Sequence, residues 1–461
     1  MECIRVPHQK TGFFSKMMLD YIEEKENLKP FYRYKWHIDA FKGLINDLEK
    51  KQFDRKTLMN VLKKQYQGLT TTAKVQCNID SIAQNNTWCV LTAHQTNLFT
   101  GPLYLIYKMV SAINLSEQLN IKYPKYNFVP VYWMGSEDHD FDEINHARVF
   151  GKKITWQQNK KGAIGRLNTD SLKLVFDELE ALMGSSDEAK NVLELLKKAY
   201  LKMPNLAKAT QCFINDLFAE YGLVVLDQDD AELKKIFAPI MQQDLLQHDA
   251  ERIVSQTNSA LQKENYPNQA FVRPINLFYL KDNLRERITY QKETKCYTVL
   301  NTGLSFTTTE LLHELNRYPE RFSPNVILRP LYQQCVVPNV AYIGGGGEMA
   351  YWMQLKTLFN HYKVFYPMLV LRNSAMVLGK KSTKRMIALS LSVEDLFKTY
   401  EVLLNDYVQK NSTENLLLDT TKQKVTAAFD EVLTKTVRIE PTLKGTVLAE
   451  LNKTIKAIER L

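Results

Sequence analysis

The feature that most restricts the fold is a strand, turn, helix and strand run between residues 88 and 140. Trp88-Cys89-Val90-Leu91-Thr92 is a short apolar stretch and reads as a buried strand. It runs into Ala93-His94-Gln95-Thr96-Asn97-Leu98-Phe99-Thr100-Gly101-Pro102. A helix is expected over Leu103 to Leu119, with Leu105, Met109 and Ile113 on one face. A second strand, Phe128 to Met134, ends in the polar loop Gly135-Ser136-Glu137-Asp138-His139-Asp140. This is a βαβ unit, and such units build parallel sheets covered by helices on both faces. Ligands of open α/β sheets sit beyond the carboxyl ends of the strands, where both loops are expected.

The rest of the chain supports an α/β class with helical additions. Residues 39–64 carry apolar side chains at three-to-four spacing and read as helical. Residues 150 to about 265 look inserted, with amphipathic helices over Leu172 to Met183 and Ala189 to Leu201 and one strand-like run, Leu223 to Asp227. Sheet material is expected again at Phe271 to Leu280, Tyr297 to Leu300, Val326 to Pro330, Val340 to Ile343 and Val364 to Leu371. A helix is expected from Glu348 to about Phe359. From about residue 380 strand signals stop. Leu448, Leu451, Ile455 and Ile458 then form a heptad seam. Leu461 falls in mid-helix without a capping signal, so the arm is read as incomplete.

Composition narrows the class. The six cysteines are far apart with no C-x-x-C pair, which argues against a zinc ribbon or disulfide scaffold and for reduced thiols in the cytoplasm. No secretory apolar segment lies in residues 1–28, and the apolar stretches are far shorter than the ~20 residues of a membrane span. A soluble protein with no membrane partner is expected. The net charge of +9 is mild and not gathered into stripes, and the aromatic residues are scattered, so no nucleic-acid partner is expected.

Three constellations could carry chemistry. The turn from Ala93 to Pro102 places backbone N–H groups at a helix start, suited to phosphate or carboxylate, or it merely starts the helix. Ser136 to His146 holds five carboxylates and two imidazoles within eleven residues. Those groups could orient an ammonium, let His139 act as general base, hold a metal, or form a solvated acidic loop. The spacing from His139 to His146 matches no standard zinc helix, so no protein-held metal is expected. Finally, Gly344-Gly345-Gly346-Gly347-Glu348 allows a ligand close to backbone, with Glu348 in a helix's first turn, where a carboxylate is favoured anyway. Arg329, Asn339 and Arg372 are expected near strand ends, as anion partners or structural contacts. Lys380-Lys381-Ser382-Thr383-Lys384 is similar to the lysine-rich loop of class I aminoacyl-tRNA synthetases, or is a solvated helix start.

Taken together, these strings resemble the bacillithiol-biosynthesis cysteine ligase family (BshC). The carrying stretches are Leu98 to Tyr104 with Ile106-Tyr107-Lys108, Val129 to Trp133, Glu137 to Phe141 with Asn145-His146, Asn283-Leu284-Arg285-Glu286-Arg287, Leu328-Arg329-Pro330-Leu331, Gly347-Glu348 and Ala350-Tyr351-Trp352. The resemblance implies an α/β fold: a Rossmann-like parallel sheet core with a helical insertion and a C-terminal helical coiled-coil arm used for pairing, giving a homodimer. On this reading residues 1–149 hold the N-terminal helices and the first half of the core. Residues 150–265 are the insertion, 266–378 the second half of the core, and 379–461 the arm.

The resemblance also implies a reaction, the joining of cysteine to glucosaminyl-malate with ATP, and Mg²⁺ accompanying the nucleotide. Gln95, Thr100, Gly101 and Lys108 would cradle phosphate or carboxylate, Glu137, Asp138 and Asp140 would hold an ammonium, and His139 would be the base. Gly345, Gly347 and Glu348 would line the opposite wall, with Tyr104, Trp133, Asn145, Arg329 and Tyr351 completing the substrate-binding set. Two positions depart from the family's usual pattern: His94 stands where Gln is usual, and Gly346 where Pro is often found. A non-catalytic nucleotide- or sugar-binding protein on a synthetase-like core is the alternative reading. An RNA-binding descendant of such a core and a helical adaptor working through the arm are more distant ones.

Overall fold

A computed structural model of the chain describes residues 3–411 and 418–459. Leu461, with its expected continuation of the arm, lies outside the described residues. The chain divides into two compact units, one of residues 14–376 and one of residues 3–13 with 377–459.

The larger unit contains every strand: β1 (Thr87–Gln95), β2 (Asn127–Gly135), the hairpin β3 (His146–Val149) and β4 (Lys152–Thr155), β5 (Val224–Asp227), β6 (Leu277–Lys281), β7 (Leu284–Gln291), β8 (Cys296–Val299), β9 (Ser305–Phe306), β10 (Phe322–Pro324), β11 (Asn339–Gly344) and β12 (Met368–Leu371). Five of these form a parallel sheet in the order β12-β11-β1-β2-β5. The chain leaves β1 for β2 on one side, while β11 lies on the other. That makes the carboxyl ends of β1 and β11 a topological switch point, where doubly wound sheets open a crevice.

Side-chain alternation along β1 explains why both faces are covered. Cys89, Leu91 and Ala93 enter a core shared with helices Arg55–Gln65, Ala231–Gln247 and Gly346–His361. Trp88 and Val90 point the other way, into a core with helix Phe41–Leu48 and the far half of helix Tyr104–Lys122. Helix Phe41–Leu48 buries Phe41, Leu44, Ile45 and Leu48, the 3-1-3 spacing of one helical face.

The inserted helices Lys173–Met183, Asp187–Tyr200 and Leu206–Phe218 have their own core around Trp156, Phe176, Leu196 and Tyr200, which also takes Leu98 from the turn after β1. Strand β5 then rejoins the parallel sheet beside β2. A second, antiparallel sheet follows in the order β10-β6-β7-β8-β9.

Three strand expectations do not hold as read. Val326 to Pro330 is a turn leading into helix Arg329–Val336. The Asn325 side chain accepts hydrogen bonds from Ile327 N at 2.9 Å and Leu328 N at 3.3 Å, and Pro330 sits in the first helical turn, where its missing N–H costs nothing. The run is apolar because Ile327, Leu328 and Pro330 are buried within the turn, while Val326 is exposed. Likewise the expected 271–280 strand is extended only from Leu277, as part of Leu277–Lys281, the expected 364–371 strand only over Met368–Leu371, and Arg329 opens a helix rather than closing a strand.

The second unit is described by itself. Its helices are Lys380–Ala388, Tyr400–Asn411, Asp419–Ile439 and Lys444–Ile458. The last two turn back on each other through Pro441–Leu443, with Lys422 Nζ 3.4 Å from Glu459 Oε1. None of these four helices has a fully buried residue, and Val432, Ile439, Leu443 and Leu448 are exposed.

Candidate active site

The turn that closes β1 is held in an unfavourable backbone. Phe99, Thr100 and Gly101 stand consecutively at φ 51°, 70° and 58°, a region costing L-residues of order 1–3 kcal/mol each. The Phe99 ring anchors the turn between Phe176 and Tyr200, with centroids at 5.3 and 5.1 Å. Only glycine fits at 101, because a Cβ there would lie 2.6 Å from Asn97 Cβ. The expected backbone cradle is closed on itself: Thr100 N–H donates to Asn97 O at 3.2 Å and Gly101 N–H to Leu98 O at 2.8 Å. Those two N–H groups are therefore not available to an anion.

Side chains converge here from four elements. Lys108, in the second turn of helix Tyr104–Lys122, is 1% exposed. It donates to Ala93 O at 2.9 Å and pairs with Glu348. Glu348 also accepts from Gly345 N at 2.9 Å and Tyr342 OH at 2.7 Å. The helix behind it begins at Gly346, two residues earlier than expected, because Glu348 closes the Gly345 cap. Burial works to raise the Glu348 carboxyl, but Lys108, His94 and the Gly345 N–H outweigh it and hold it at about 2. Tyr351 OH accepts from Arg329, whose Nη1 also donates to Gln333 Oε1 at 3.3 Å. Arg372 follows β12 and lies over the Tyr104 ring at 5.3 Å. A Cβ on Gly345 would sit 3.5 Å from Glu348 Oε2 and 3.6 Å from Arg372 Nε, which shows how closely the last two approach.

Three buried nitrogens of this group have no hydrogen-bond partner: His94 Nε2, Gln333 Nε2 and Arg372 Nε. Burial, reinforced by Lys108, pushes His94 down to about 3, so its ring is neutral in neutral solution. Two guanidiniums, one ammonium and one carboxylate thus leave a positive excess, with donors unsatisfied. Such an arrangement suits a carboxylate or phosphate, since a buried donor left unpaired costs about 1–3 kcal/mol.

The loop after β2 supplies the other wall. Asp138 Oδ2 accepts from Gln95 Nε2 at 2.7 Å, and Gln95 also donates to Glu143 at 2.9 Å. Asp138 Oδ1 accepts the backbone N–H of His139 at 2.7 Å and of Asp140 at 3.3 Å. Burial would raise the Asp138 carboxyl, but Arg285, Gln95 and the backbone N–H groups of His139 and Asp140 hold it below the usual range. His139 is half open to solvent, with Nδ1 2.7 Å from Arg285 Nη1 and its ring against Phe278 at 5.3 Å. Asp140 caps the short helix Phe141–Ile144, accepting from Glu143 N at 3.4 Å, and Asn145 Oδ1 lies 3.2 Å from His146 Nδ1. His94, near the end of β1, feels the charges of both Glu348 and Asp138, and the next residue, Gln95, bonds Asp138 directly, so both groups lie near the carboxyl end of β1.

Besides Lys108, which is 1% exposed, two more of the sequence-predicted residues are not on the surface of the crevice. Glu137 is fully enclosed: Lys234 pairs with it, and Ser323 Oγ and Gln228 Nε2 donate to it at 3.1 and 3.3 Å. It could meet a substrate ammonium only by giving up Lys234. Trp133 is also fully buried, its indole N–H donating to Gln228 Oε1 at 2.7 Å. Asn339 begins β11 rather than ending it, and its side chain bonds Gln334 and Ala341 N. Sequence reading missed Lys234, Ser323 and the role of Arg285. Arg285 Nε donates to Ser323 Oγ at 3.1 Å, so a chain of contacts runs from His139 through Arg285, Ser323 and Glu137 to Lys234. The signal available was the Asn283 to Arg287 string, which carries no spacing that pairs it with His139.

Comparisons with known proteins agree with this architecture. The family model described as "Bacillithiol biosynthesis BshC, N-terminal Rossmann-like domain" matches residues 1–373, and "Bacillithiol biosynthesis BshC, C-terminal coiled-coil domain" matches residues 375–461. The chain is 41% identical over 459 residues to a Flavobacterium johnsoniae protein named "Putative cysteine ligase BshC", covering 99% of this chain and 86% of that one. It is 42% identical to the protein of the same name from Flavobacterium psychrophilum, with the same coverage. Against that of Salinibacter ruber it is 31% identical, covering 99% of this chain and 82% of the relative.

Proposed function

The chain belongs to the BshC family of bacillithiol biosynthesis, and on that premise we propose that it is the ligase joining cysteine to glucosaminyl-malate. In this reaction the glucosamine nitrogen attacks the carboxyl carbon of cysteine, activated by ATP with Mg²⁺. A carbon–nitrogen bond forms, the carbon–oxygen bond to the activating phosphate breaks with its electron pair leaving on that phosphate, and the proton lost by the nitrogen passes to the departing phosphate or to water. ATP supplies the activation, because a free carboxylate is a poor acyl donor.

The observation that carries the assignment to this crevice is the set of unpartnered buried nitrogens, the donors Gln333 Nε2 and Arg372 Nε together with His94 Nε2. With Arg329 they suit an anionic group, either the carboxylates of glucosaminyl-malate or a nucleotide phosphate. Lys108 and Glu348 hold these elements together rather than meeting the ligand, since each satisfies the other. Across the crevice, Asp138 and Asp140 offer carboxylates to an ammonium, and His139 presents the open edge of its ring. Gln95, Tyr104, Asn145 and Tyr351 line the space between. We further propose that the protein works in the cytoplasm, in keeping with six free cysteines among the described residues, and that it pairs through its arm.

Arg372 is the donor that can be removed with least damage to the core, being only partly buried. Calorimetric titration with glucosaminyl-malate, and separately with ATP and Mg²⁺, tests the site. Loss of one charge-assisted contact is worth about 1.5–3 kcal/mol, so Arg372→Ala is expected to weaken one of these ligands by at least ~10-fold. Unchanged affinity for both would remove the crevice as their site.

A further inference from the structure

The contact between Arg285 and His139 determines which ring nitrogen carries the proton. A guanidinium has only donors and keeps its proton in proteins. Arg285 Nη1 stands 2.7 Å from His139 Nδ1, so Nδ1 must be the acceptor there. A neutral imidazole has one N–H, which then belongs to Nε2. A proton on Nδ1 would put two N–H groups head to head. The other candidate acceptor for such a proton, Asp138 Oδ1, is 3.5 Å from Nδ1 and already receives the backbone N–H groups of His139 and Asp140.

Arg285 is not free to move aside. Its side chain is 8% exposed, its Nε donates to Ser323 Oγ at 3.1 Å, and its guanidinium lies over the Phe278 ring at 4.0 Å. Ser323 in turn donates to Glu137, which Lys234 holds. The His139 ring also rests on Phe278, so both partners sit against one aromatic platform. His139 is half exposed, and among the described residues no hydrogen bond reaches its Nε2.

We infer that Arg285 is a positioning residue that locks His139 in the Nε2–H tautomer, so that His139 serves as a hydrogen-bond donor to the acyl oxygen rather than as a base. This rests on the ligase reading above. As the amine adds to the activated carboxyl carbon, negative charge gathers on the carboxyl oxygen, and a fixed N–H aimed there lowers the barrier. His139 exchanges no proton in this role. A base would need a free lone pair at Nε2, which the Arg285 contact denies it. The enclosed Glu137 finds its place here as the anchor of the chain that holds Arg285.

The tautomer can be read without turnover. In the full chain labelled with ¹⁵N-histidine, the His139 signals among the eight histidines are identified by their loss in His139→Asn. Two-bond ¹H–¹⁵N correlation is expected to show a protonated Nε2 and an unprotonated Nδ1. A protonated Nδ1, as the other tautomer or as imidazolium, overturns the inference whether or not the protein is a ligase. In Arg285→Met the preference should relax towards a mixture of tautomers, with kcat reduced at least ~10-fold and KM for both substrates within about twofold. Arg285→Lys, which restores a donor, should recover part of the kcat. A locked tautomer in the native chain with full kcat in Arg285→Met would overturn the catalytic half, and unchanged tautomer signals in that variant would overturn the positioning half.

Discussion

Replacing Lys234 by Met probes the frame behind the candidate site. Lys234 and Glu137 are both fully buried, and Lys234 also donates to Phe322 O at 2.7 Å. Without Lys234, the Glu137 carboxylate keeps two neutral donors, Ser323 and Gln228, but no opposite charge at contact distance. Breaking one side of a buried ion pair costs about 3–5 kcal/mol. At about 2 °C per kcal/mol, near the low end for large domains, the expected fall in Tm is roughly 6–10 °C. The sign of its pH dependence follows from Glu137. Burial pushes this carboxyl up against the opposing effect of Lys234, so removing Lys234 raises it further. A carboxyl raised in the folded state adds stability below its unfolded value and loses it as pH rises. The Tm deficit should therefore be smaller at pH 5 than at pH 8. The double variant Lys234→Met/Glu137→Gln, which removes both charges, should recover at least half the loss. Calorimetry at the two pH values reads all of this. A single variant within about 2 °C of the native chain, or a double variant as damaged as the single one, would refute the reasoning.

Two further perturbations test other parts of the site. Glu348 is held at about 2 against an ordinary 4.5, so its stabilisation is present above that ordinary value and lost as pH falls through 2. The Tm advantage of the native chain over Glu348→Gln should be level above pH 5 and shrink between pH 4 and 2, and an advantage independent of acid would show that the Lys108 pairing does not stabilise the fold. Gly101→Ala adds a Cβ that would meet Asn97 at 2.6 Å in a left-handed conformation. A loss of about 1–3 kcal/mol is expected, with unchanged thermal unfolding as the contrary result.

Much of this architecture is legible in local sequence. The apolar run at 88–92, the glycine-bearing turn and the second strand identify the βαβ unit, because strand and helix differ in period and punctuation. The Gly344 to Glu348 loop likewise marks the second strand end. What escapes local reading is burial and long-range contact. Glu137 and Asp138 are neighbours in sequence, yet one is enclosed by Lys234 and Ser323 while the other faces the crevice. Nothing local distinguishes them, since Lys234 and Ser323 are 97 and 186 residues away. Val326 to Leu328 reads as a strand because a turn that buries Ile327 and Leu328 gives the same apolar run, and the deciding signal is the single side chain of Asn325. Arg285 carries no mark of its role until the antiparallel sheet sets it beside His139.

The central claim is that the crevice at the ends of β1, β2, β11 and β12 makes a carbon–nitrogen bond between cysteine and glucosaminyl-malate. Mass spectrometry of reactions containing glucosaminyl-malate, cysteine, ATP and Mg²⁺, with each left out in turn and with His139→Ala alongside, tests it most directly. Bacillithiol is expected only in the complete mixture, formed at least ~100-fold more slowly by a His139→Ala chain whose circular dichroism is native. No product under any combination, or full turnover by His139→Ala, would contradict it.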